Sequence, residues 1–342
     1  MHLKLGVFPR IWWVAGFGPD LKNEPVPIRI CDKPVVMFRT ASGQPIALED
    51  RCSHRAAPLS LGKCEGEIIR CPYHGLEFGA GGRCHKIPNQ DRIPADAAVR
   101  SYPLVEKNKI LYIWMGDPAE ADPTRIPDNP RMDDPSWSLQ VVYMKVECDW
   151  QLLVDNLLDL THVAHVHHQT IGSHEDPASL TLNVTRHANS VMMERKLANY
   201  DCPPSIKAYE AVGIRFTGKV DRWWDVELVP GMLRYDSGVM NANTGAFTGQ
   251  RGGGYRLSHL DALTPASKTS CHYFCFVQRD YLVGDADMDR RLMQMTNTVL
   301  AEDKVVVEEQ QRRLMDEPER AVFDIASDAA QIQGRRLIET WL

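Results

Sequence analysis

Two pairs of cysteine and histidine near the start of the chain constrain its fold more than any other feature of the sequence. Cys52 and His54 form the first pair, Cys71 and His74 form the second, and 16 residues separate His54 from Cys71. Both residue types bind metals, so we expect the two segments to meet around a shared metal group. The residues that suit tight loops in or beside these pairs are Pro58, Gly62, Pro72 and Gly75.

The spacing of the two pairs favours a Rieske-type 2Fe–2S cluster. In such a cluster two thiolates bind one iron and two imidazoles bind the other, and each loop supplies one ligand of each kind. A zinc site is an alternative. Zinc fingers, however, separate paired cysteines by about two to four residues and paired histidines by about three to five, which the pair of Cys52 and His54 does not match. Four unconnected core residues are a second alternative.

The other cysteines are predicted to be small buried hydrophobic residues. The chain has 9 cysteines and 12 histidines. Because the start of the sequence lacks a secretion signal, these cysteines do not predict a disulfide framework. Outside the two pairs they show no comparable partner spacing, and they are Cys31, Cys64, Cys84, Cys148, Cys202, Cys271 and Cys275.

A second cluster of metal-ligating residue types lies in the other half of the chain, where the histidines are His162, His165, His167 and His168. Non-haem iron oxygenases bind iron through two histidines and one carboxylate, which leaves coordination positions open for O2. His162 shares a helical face with His165. It meets His167 only where a helix ends or bulges between them, so the spacing leaves both pairs open.

Asp303 is predicted to supply the carboxylate of this site. The pattern from residue 288 to residue 314 predicts an amphipathic helix. A buried, unpaired carboxylate costs several kcal/mol, so it needs a partner such as a metal ion. An arginine or a backbone amide is the alternative partner. On a helical wheel Asp303 lies on the apolar side, with Leu292, Val299, Val306, Val307 and Leu314.

The pattern of strands and turns predicts two domains and an α+β fold. Residues 1–116 are typical of an all-β domain of short strands with Gly-rich turns, with strands at 35–39, 67–70 and 109–114. A stretch with five prolines, from Pro118 to Pro135, marks the boundary. Residues 117–342 are predicted to contain a helix from Trp150 to His162, strands between 180 and 280, and the helix at 288–314.

Charge and hydropathy exclude two classes of partner. The chain has 39 Lys and Arg against 45 Asp and Glu, a net charge of −6, which argues against a nucleic-acid-binding protein with a basic stripe. No apolar run approaches the ~18 residues of a membrane span. Met1 to Gly6 also lacks the features of a signal peptide. We therefore expect a cytoplasmic protein with no nucleic-acid or membrane partner.

Over essentially its whole length the chain resembles the oxygenase (alpha) component of Rieske non-haem iron oxygenases. The segments that carry the resemblance are 52–55, 71–75, 155–167 and 302–308. They are most similar to the branch that contains vanillate O-demethylase, dicamba O-demethylase and toluenesulfonate methyl-monooxygenase. The resemblance implies an N-terminal all-β Rieske domain and a C-terminal helix-grip catalytic domain, in which an antiparallel sheet packs with helices. It also implies a head-to-tail homotrimer.

The same resemblance assigns roles to individual residues. Asp159 corresponds to the carboxylate that links a cluster-ligand histidine of one subunit to an iron-ligand histidine of the next, and Asn156 lies beside the iron. His165 and His168 are outside the motif, and each is either a pocket group or a histidine satisfied by other contacts. The implied ligands are Cys52, His54, Cys71 and His74 for the 2Fe–2S cluster, and His162, His167 and Asp303 for a mononuclear Fe(II).

The implied activity is that of a terminal oxygenase that uses O2. The chain has no Gly-x-Gly-x-x-Gly or flavin motif, so NADH would act through a separate reductase, alone or with a ferredoxin. The expected reaction is O-demethylation or methyl hydroxylation of a small aromatic substrate. Ring dihydroxylation of an aromatic carboxylate is the alternative. An electron carrier without catalysis and a zinc-binding structural protein are more remote alternatives.

An acidic substrate is expected to contact cationic side chains on the strands after residue 200. Arginine suits bidentate contacts with a carboxylate or a sulfonate. The candidates are Arg234, Arg251, Arg256 and His259, with His165 as a further pocket residue. For each arginine, a solvated surface cation is the alternative.

Overall fold

The computed structural model describes residues 6–171, 181–202, 213–251 and 253–342. The described residues form two compact units. The first unit contains Gly6–Asn129 and Thr264–Cys271, and the second contains Pro130–Leu263 and His272–Leu342. The domain boundary predicted after residue 116 stays a prediction.

The first unit is built from short antiparallel strands, as its sequence pattern predicts. The predicted strands at 35–39, 67–70 and 109–114 fall in β3, β6 and β11 of the following set: β1 (Trp12–Phe17), β2 (Val26–Ile30), β3 (Lys33–Arg39), β4 (Pro45–Glu49), β5 (Lys63–Glu65), β6 (Ile68–Arg70), β7 (Glu77–Gly79), β8 (Cys84–Lys86), β9 (Ser101–Tyr102), β10 (Leu104–Lys107) and β11 (Ile110–Trp114). They form three sheets with the orders β1-β11-β10, β2-β3-β4-β9 and β5-β6-β7-β8.

A hydrophobic core anchors the two loops that carry the Cys–His pairs. Cys52 and Cys71 both belong to it, packed with Leu59, Ile69 and Phe78, which are fully buried. The core therefore fixes the cysteine end of each loop, while the histidines that follow lie at the surface.

The second unit contains a seven-stranded sheet. Its strands are β12 (Ser138–Val146), β13 (Thr181–Arg186), β14 (Val191–Asp201), β15 (Lys219–Val229), β16 (Met232–Asn241), β17 (Tyr255–Ser267) and β18 (Ser270–Arg279). Their order is β12-β18-β17-β16-β15-β14-β13, and the pairs from β13 to β17 are antiparallel. Successive side chains on each strand point to opposite faces, so position parity decides which residues share a face.

In the described part of this unit, four α-helices accompany the sheet, and they are α1 (Trp150–Leu157), α2 (Val163–Val166), α3 (Ala286–Asp316) and α4 (Ala329–Glu339). Asp149 caps α1 by accepting from the amide of Gln151, and Asp285 caps α3 by accepting from two amides of its first turn. α3 packs against β12 and α1, and α4 packs against β13, β14 and α1.

The helix predicted from Trp150 to His162 ends earlier than expected. α1 stops at Leu157. Two residues later Asp159 Oδ1 accepts hydrogen bonds from the Thr161 amide at 2.7 Å and from its hydroxyl at 2.6 Å. A short polar side chain that bonds to nearby backbone competes with helix continuation, and the chain restarts at His162 as the single turn α2.

The long helix predicted at 288–314 is confirmed as α3, although its buried stripe differs in part from the prediction. Asp303 is 4% exposed, as predicted, but Val306 is 46% exposed. The residues that α3 buries are Leu292, Thr296, Leu300, Asp303, Val307 and Gln311. The stripe thus follows steps of three and four residues, and it includes two polar residues, Thr296 and Gln311, that the prediction did not contain.

These features confirm the predicted fold class, an all-β N-terminal domain followed by a domain of antiparallel sheet and helices. In the described part of the chain, no helix is long and apolar enough to cross a membrane.

We predict that the turn at Gly82 tolerates no side chain. Gly82 has φ +75°, and a Cβ there would lie 2.1 Å from the Val99 carbonyl oxygen. Gly82→Ala adds this backbone clash to the conformational cost and should destabilise the protein by about 2 kcal/mol or more. Gly43→Ala is the matched control, since Gly43 has φ +88° and open space around it, and should cost about 1 kcal/mol. Thermal unfolding checks this, and equal melting temperatures for the two variants would contradict it.

Candidate metal centres

The two Cys–His loops of the first unit have the same backbone geometry. In each, the cysteine amide donates to the carbonyl five residues later at 2.8 Å. The amide four residues after the cysteine donates back to the cysteine carbonyl, at 3.0 Å in the Cys52 loop and 3.1 Å in the Cys71 loop. That fourth residue has a positive φ in both loops, 58° at Ala56 and 75° at Gly75. The chain therefore presents two copies of one turn, each with a cysteine at its start.

The side chains of these loops are sorted by type. Cys52 and Cys71 are buried, at 3% and 2% exposure, and their thiols lie close enough to interact electrostatically. His54 and His74 are exposed, and their ring centroids lie 4.7 Å apart. Two adjacent sulfurs on one side and two adjacent imidazoles on the other are the donor set that a Rieske cluster requires.

The surroundings of Cys52 also suit a cluster. Burial raises the pKa of the Cys52 thiol, although the amides of His54 and Arg55 donate to its sulfur and oppose that rise. A buried thiolate therefore needs a positive partner as well as these amides, and bound iron supplies one.

Five of the seven remaining cysteines are buried, as predicted, and two are not. None of them takes part in a disulfide, and burial raises the pKa of Cys64 to about 12. Cys64 and Cys202 are partly exposed, and the buried ones are Cys31, Cys84, Cys148, Cys271 and Cys275.

The early end of α2 in the second unit decides which histidines meet. His162 precedes α2 and His167 follows it. Because the helix stops after Val166, the two imidazoles lie on the same side, with ring centroids 5.2 Å apart. His165 is exposed on this turn. His168 is exposed as well, and its Nδ1 lies 2.9 Å from the His165 carbonyl. Neither His165 nor His168 lines the cavity described below.

Asp303 joins this pair from α3. Its Oδ1 lies 3.5 Å from His162 Nε2 and 3.2 Å from His167 Nε2, and it accepts from Asn156 Nδ2 at 3.1 Å. The three ligand atoms of His162, His167 and Asp303 all lie within 4.8 Å of one another. α1, α2 and α3 thus each place a polar side chain at or beside one point.

This donor set fits a divalent iron. Metal–ligand bonds of about 2.1 Å at right angles separate neighbouring ligand atoms by about 3 Å, close to the observed separations from Asp303. Burial lowers the pKa of His162, which favours the neutral imidazole that binds metals. Burial lowers the pKa of His167, but the hydrogen bonds that Asp303 and Glu302 accept from its imidazole outweigh this effect and raise the pKa overall, so the site attracts positive charge there.

Glu302 is a site residue that the sequence pattern did not reveal. Its Oε2 lies 2.7 Å from His167 Nδ1 and accepts the Thr170 hydroxyl at 2.8 Å. A proton on Nδ1 leaves Nε2, the atom nearer to Asp303, with the lone pair that a metal needs. The sequence offered one signal for this role, because Glu302 directly precedes the predicted ligand Asp303 and lies at the edge of the buried stripe.

A cavity of about 390 Å³ opens beside the triad. Its wall combines His162, His167 and Asp303 with apolar side chains from α1, α3 and the sheet, among them Leu157, Leu257, Leu292 and Val299. The size lies within the range of small-molecule sites.

The cavity is also lined by two buried polar residues, His259 and Asp261. Burial lowers the pKa of His259 to about 4, so His259 is neutral at neutral pH. Burial also raises the pKa of Asp261 to about 6, against hydrogen bonds from Cys275 and Tyr273. His259, which was predicted as a substrate contact, does line the cavity, and it would act there as a neutral hydrogen-bonding group.

The three arginines predicted to contact substrate lie elsewhere, which corrects that expectation. Arg251 and Arg256 both pair with Asp236, and Arg234 pairs with Glu227 at 3.3 Å. None of the three lines the cavity. Arg234 on β16 and Arg256 on β17 are at even-numbered positions, which face away from the cavity. The side chains of these strands that line the cavity are the odd-numbered Tyr235, Ser237, Val239, Leu257, His259 and Asp261.

Family models match both units of the chain. Residues 11–103 match the Rieske [2Fe-2S] domain, and residues 146–342 match the vanillate O-demethylase oxygenase C-terminal domain. The first match confirms the predicted Rieske domain and removes the zinc alternative.

Several curated relatives are similar over nearly the whole chain. The toluene-4-sulfonate monooxygenase system iron-sulfur subunit of Comamonas testosteroni is 35% identical and covers 97% of this chain and 96% of its own. The vanillate O-demethylase oxygenase subunit of a Pseudomonas species is 32% identical, covering 97% and 94%. Dicamba monooxygenase with non-heme iron and dicamba superposes with a TM-score of 0.83 at 32% identity, covering 98% and 97%.

We predict that removing the Glu302 carboxylate weakens iron binding, because His167 loses the acceptor that orients it. Glu302→Ala should reduce iron affinity by about 10- to 100-fold, measured as iron retained after dialysis against graded chelator. Glu302→Gln keeps an acceptor and should lose less. Glu309→Ala is the control, since Glu309 lies on the same helix with its side chain 49% exposed. Wild-type retention in Glu302→Ala would contradict the orienting role.

Proposed function

Because the chain belongs to the Rieske oxygenase components with a vanillate O-demethylase-type catalytic domain, we propose that it oxidises a small aromatic acid by O-demethylation or methyl hydroxylation. Relatives named for toluene-4-sulfonate, vanillate and dicamba support this substrate class. Those three compounds are aromatic anions that carry a methyl or a methoxy group.

The observation that carries the proposal is the convergence of His162, His167 and Asp303 on the wall of the cavity. A mononuclear Fe(II) bound there would supply O2 activation with electrons from the 2Fe–2S cluster. These three side chains would hold it, and Glu302 would orient His167. The apolar wall would exclude water and hold an aromatic ring beside the site.

We also propose that the electrons come from NADH through a separate reductase, alone or with a ferredoxin, in the cytoplasm, where NADH is supplied. The exposed imidazoles of His54 and His74 support electron passage at the surface of the first unit. In the proposed head-to-tail homotrimer, Asp159 would link a cluster histidine of one subunit to His162 of the next. Asp159 is partly exposed, which is compatible with this role.

The proposal is tested by turnover of the iron-loaded protein with a surrogate NADH-dependent reductase. Vanillate should release formaldehyde, or toluene-4-sulfonate should yield a hydroxymethyl product, with consumption of O2. Asp303→Ala should lose product formation by about 100-fold or more, because one of three iron ligands is gone, and should keep the absorption and EPR spectra of the cluster. Asp316→Ala, an exposed position at the end of α3, is the control.

Each other outcome of this assay overturns part of the proposal. A cis-dihydrodiol product would identify ring dihydroxylation instead. Cluster reduction and reoxidation without oxygenated product from any aromatic acid would identify an electron carrier.

We predict that Asp159→Asn retains both metals but slows electron transfer between them. Asparagine still offers an oxygen to Thr161, so the local turn survives, but it lacks the charge that pairs with imidazoles on both sides. Cluster reoxidation in a single turnover, followed by stopped-flow absorbance, should slow by about tenfold or more, the effect of losing one charged hydrogen bond. An unchanged rate would remove the bridging role.

A further inference from the structure

We propose that Arg195, Trp224 and Arg222 form the subsite that binds the anionic group of the aromatic substrate, a carboxylate or a sulfonate. The inference rests on the proposed function and names the residues that select an acid over a neutral arene. All three residues line the cavity beside the triad.

The strand register places these residues together. β14 and β15 pair so that Arg195 lies opposite Trp224. Arg222 and Trp224 are two residues apart on β15, which puts them on the same face. The next strands continue the row, because Trp224 lies opposite Ser237 and Ser237 lies opposite Leu257. The cavity face of the sheet therefore carries two cations, an indole and a hydroxyl at one end.

The packing of the arginines holds them in position for an anion. The Arg222 guanidinium lies 4.3 Å from the centre of the Trp224 ring, and that of Arg195 lies 6.0 Å from it. Stacking on an aromatic face orients a guanidinium and leaves the N–H groups at its edge directed sideways, in the geometry that binds two oxygens of a carboxylate or sulfonate. Arg195 also donates to the Leu160 carbonyl at 3.0 Å, which ties it to the segment that carries His162.

The opposite face of the same sheet carries a separate group of arginines. There Trp223 donates to Asp236 at 2.9 Å, and Arg251 and Arg256 pair with the same carboxylate. Those cations are matched with acids of the protein outside the cavity. Side chains alternate along a strand, so the adjacent residue Trp224 faces the cavity. Trp223 therefore packs with Arg251 on one face, and Trp224 packs with Arg222 on the other.

The position of the subsite along the strands suits an aromatic ring. On β16, Ser237 lies two residues from Tyr235, about 7 Å along the strand. Tyr235 lies opposite His259. Its hydroxyl donates to the carbonyl of Leu157, the residue after Asn156, which donates to Asp303. The Tyr235 row is thus the one near the triad. A benzene ring between the rows would place its anionic group at the arginines and the methyl or methoxy group near the triad.

Binding of matched probes to the metal-loaded protein tests this inference. The probes are 4-methylbenzenesulfonate with the neutral 4-methylbenzenesulfonamide, and 4-methoxybenzoate with 4-methoxybenzamide. Isothermal titration should show that the wild-type protein binds each anion at least about tenfold more tightly than its amide, as expected for charge-assisted hydrogen bonds. Arg222→Gln should abolish this preference and leave amide binding within about threefold of the wild type.

Three further variants sharpen the result. Arg222→Lys keeps the charge but loses the flat, stacked fork, and should retain part of the anion preference. Arg195→Gln should also lose preference, with its iron content measured because of the Leu160 contact. Arg234→Gln is the matched control, since Arg234 is on the same sheet and paired with Glu227, and should bind like the wild type.

Two results would overturn the inference: equal binding of anion and amide by the wild type, or an unchanged anion preference in Arg222→Gln. Turnover separates this failure from failure of the proposed function. Oxidation of neutral arenes that is insensitive to Arg222 would remove the subsite and leave the oxygenase. Tight, Arg222-dependent anion binding without oxidation of any bound arene would leave the subsite and remove the proposed reaction.

Discussion

Asp303 places a carboxylate in the buried stripe of α3, at 4% exposure, where bulk water solvates it poorly. Leaving such a group without compensation would cost several kcal/mol. Three side chains of the second unit contact one of its oxygens, namely Asn156 near the end of α1, His162 before α2 and His167 after it. A bound cation would complete the compensation, because neutral imidazoles and an amide do not match a full negative charge. The end of α1 and the short helix α2 place their polar side chains at this carboxylate, and the cavity opens beside it.

The sequence predicted the residues of this centre but not how two of them meet. Helical periodicity was enough to bury Asp303, because a charged residue inside an apolar stripe is visible in a single chain. The choice between His165 and His167 depended on where a helix stops. The Asp159–Thr161 turn follows the end of α1 and precedes α2, and this competition between side chain and backbone left only a weak trace in the sequence pattern.

The paired Cys–His loops were easier to predict, because few other metal sites share their spacing. Even there, Ala56 takes the positive φ that Gly75 takes in the other loop, so composition concealed the similarity of the two turns.

The arginine contacts were the part that sequence chemistry alone placed wrongly. Arg256 and His259 are three residues apart on one strand, so they cannot both face the cavity. Choosing between them requires knowing which face is covered. The structure shows that the odd-numbered positions of β17 face the cavity, and that the cations in the cavity come from β14 and β15. The role of Glu302 was not predicted for a related reason, since it depends on the orientation of His167 rather than on any motif.

We propose that one chain holds three irons in three different environments, two in a cluster with a thiolate side and an imidazole side and one in the Asp303 triad. Mössbauer spectroscopy of the reduced protein, reconstituted with isotopically enriched iron, tests this most directly. We expect about three irons per chain in equal proportions, with one sulfur-ligated cluster iron, one imidazole-ligated cluster iron and one separate high-spin ferrous ion. Two irons without the separate ferrous component, or two equivalent cluster irons, would contradict it.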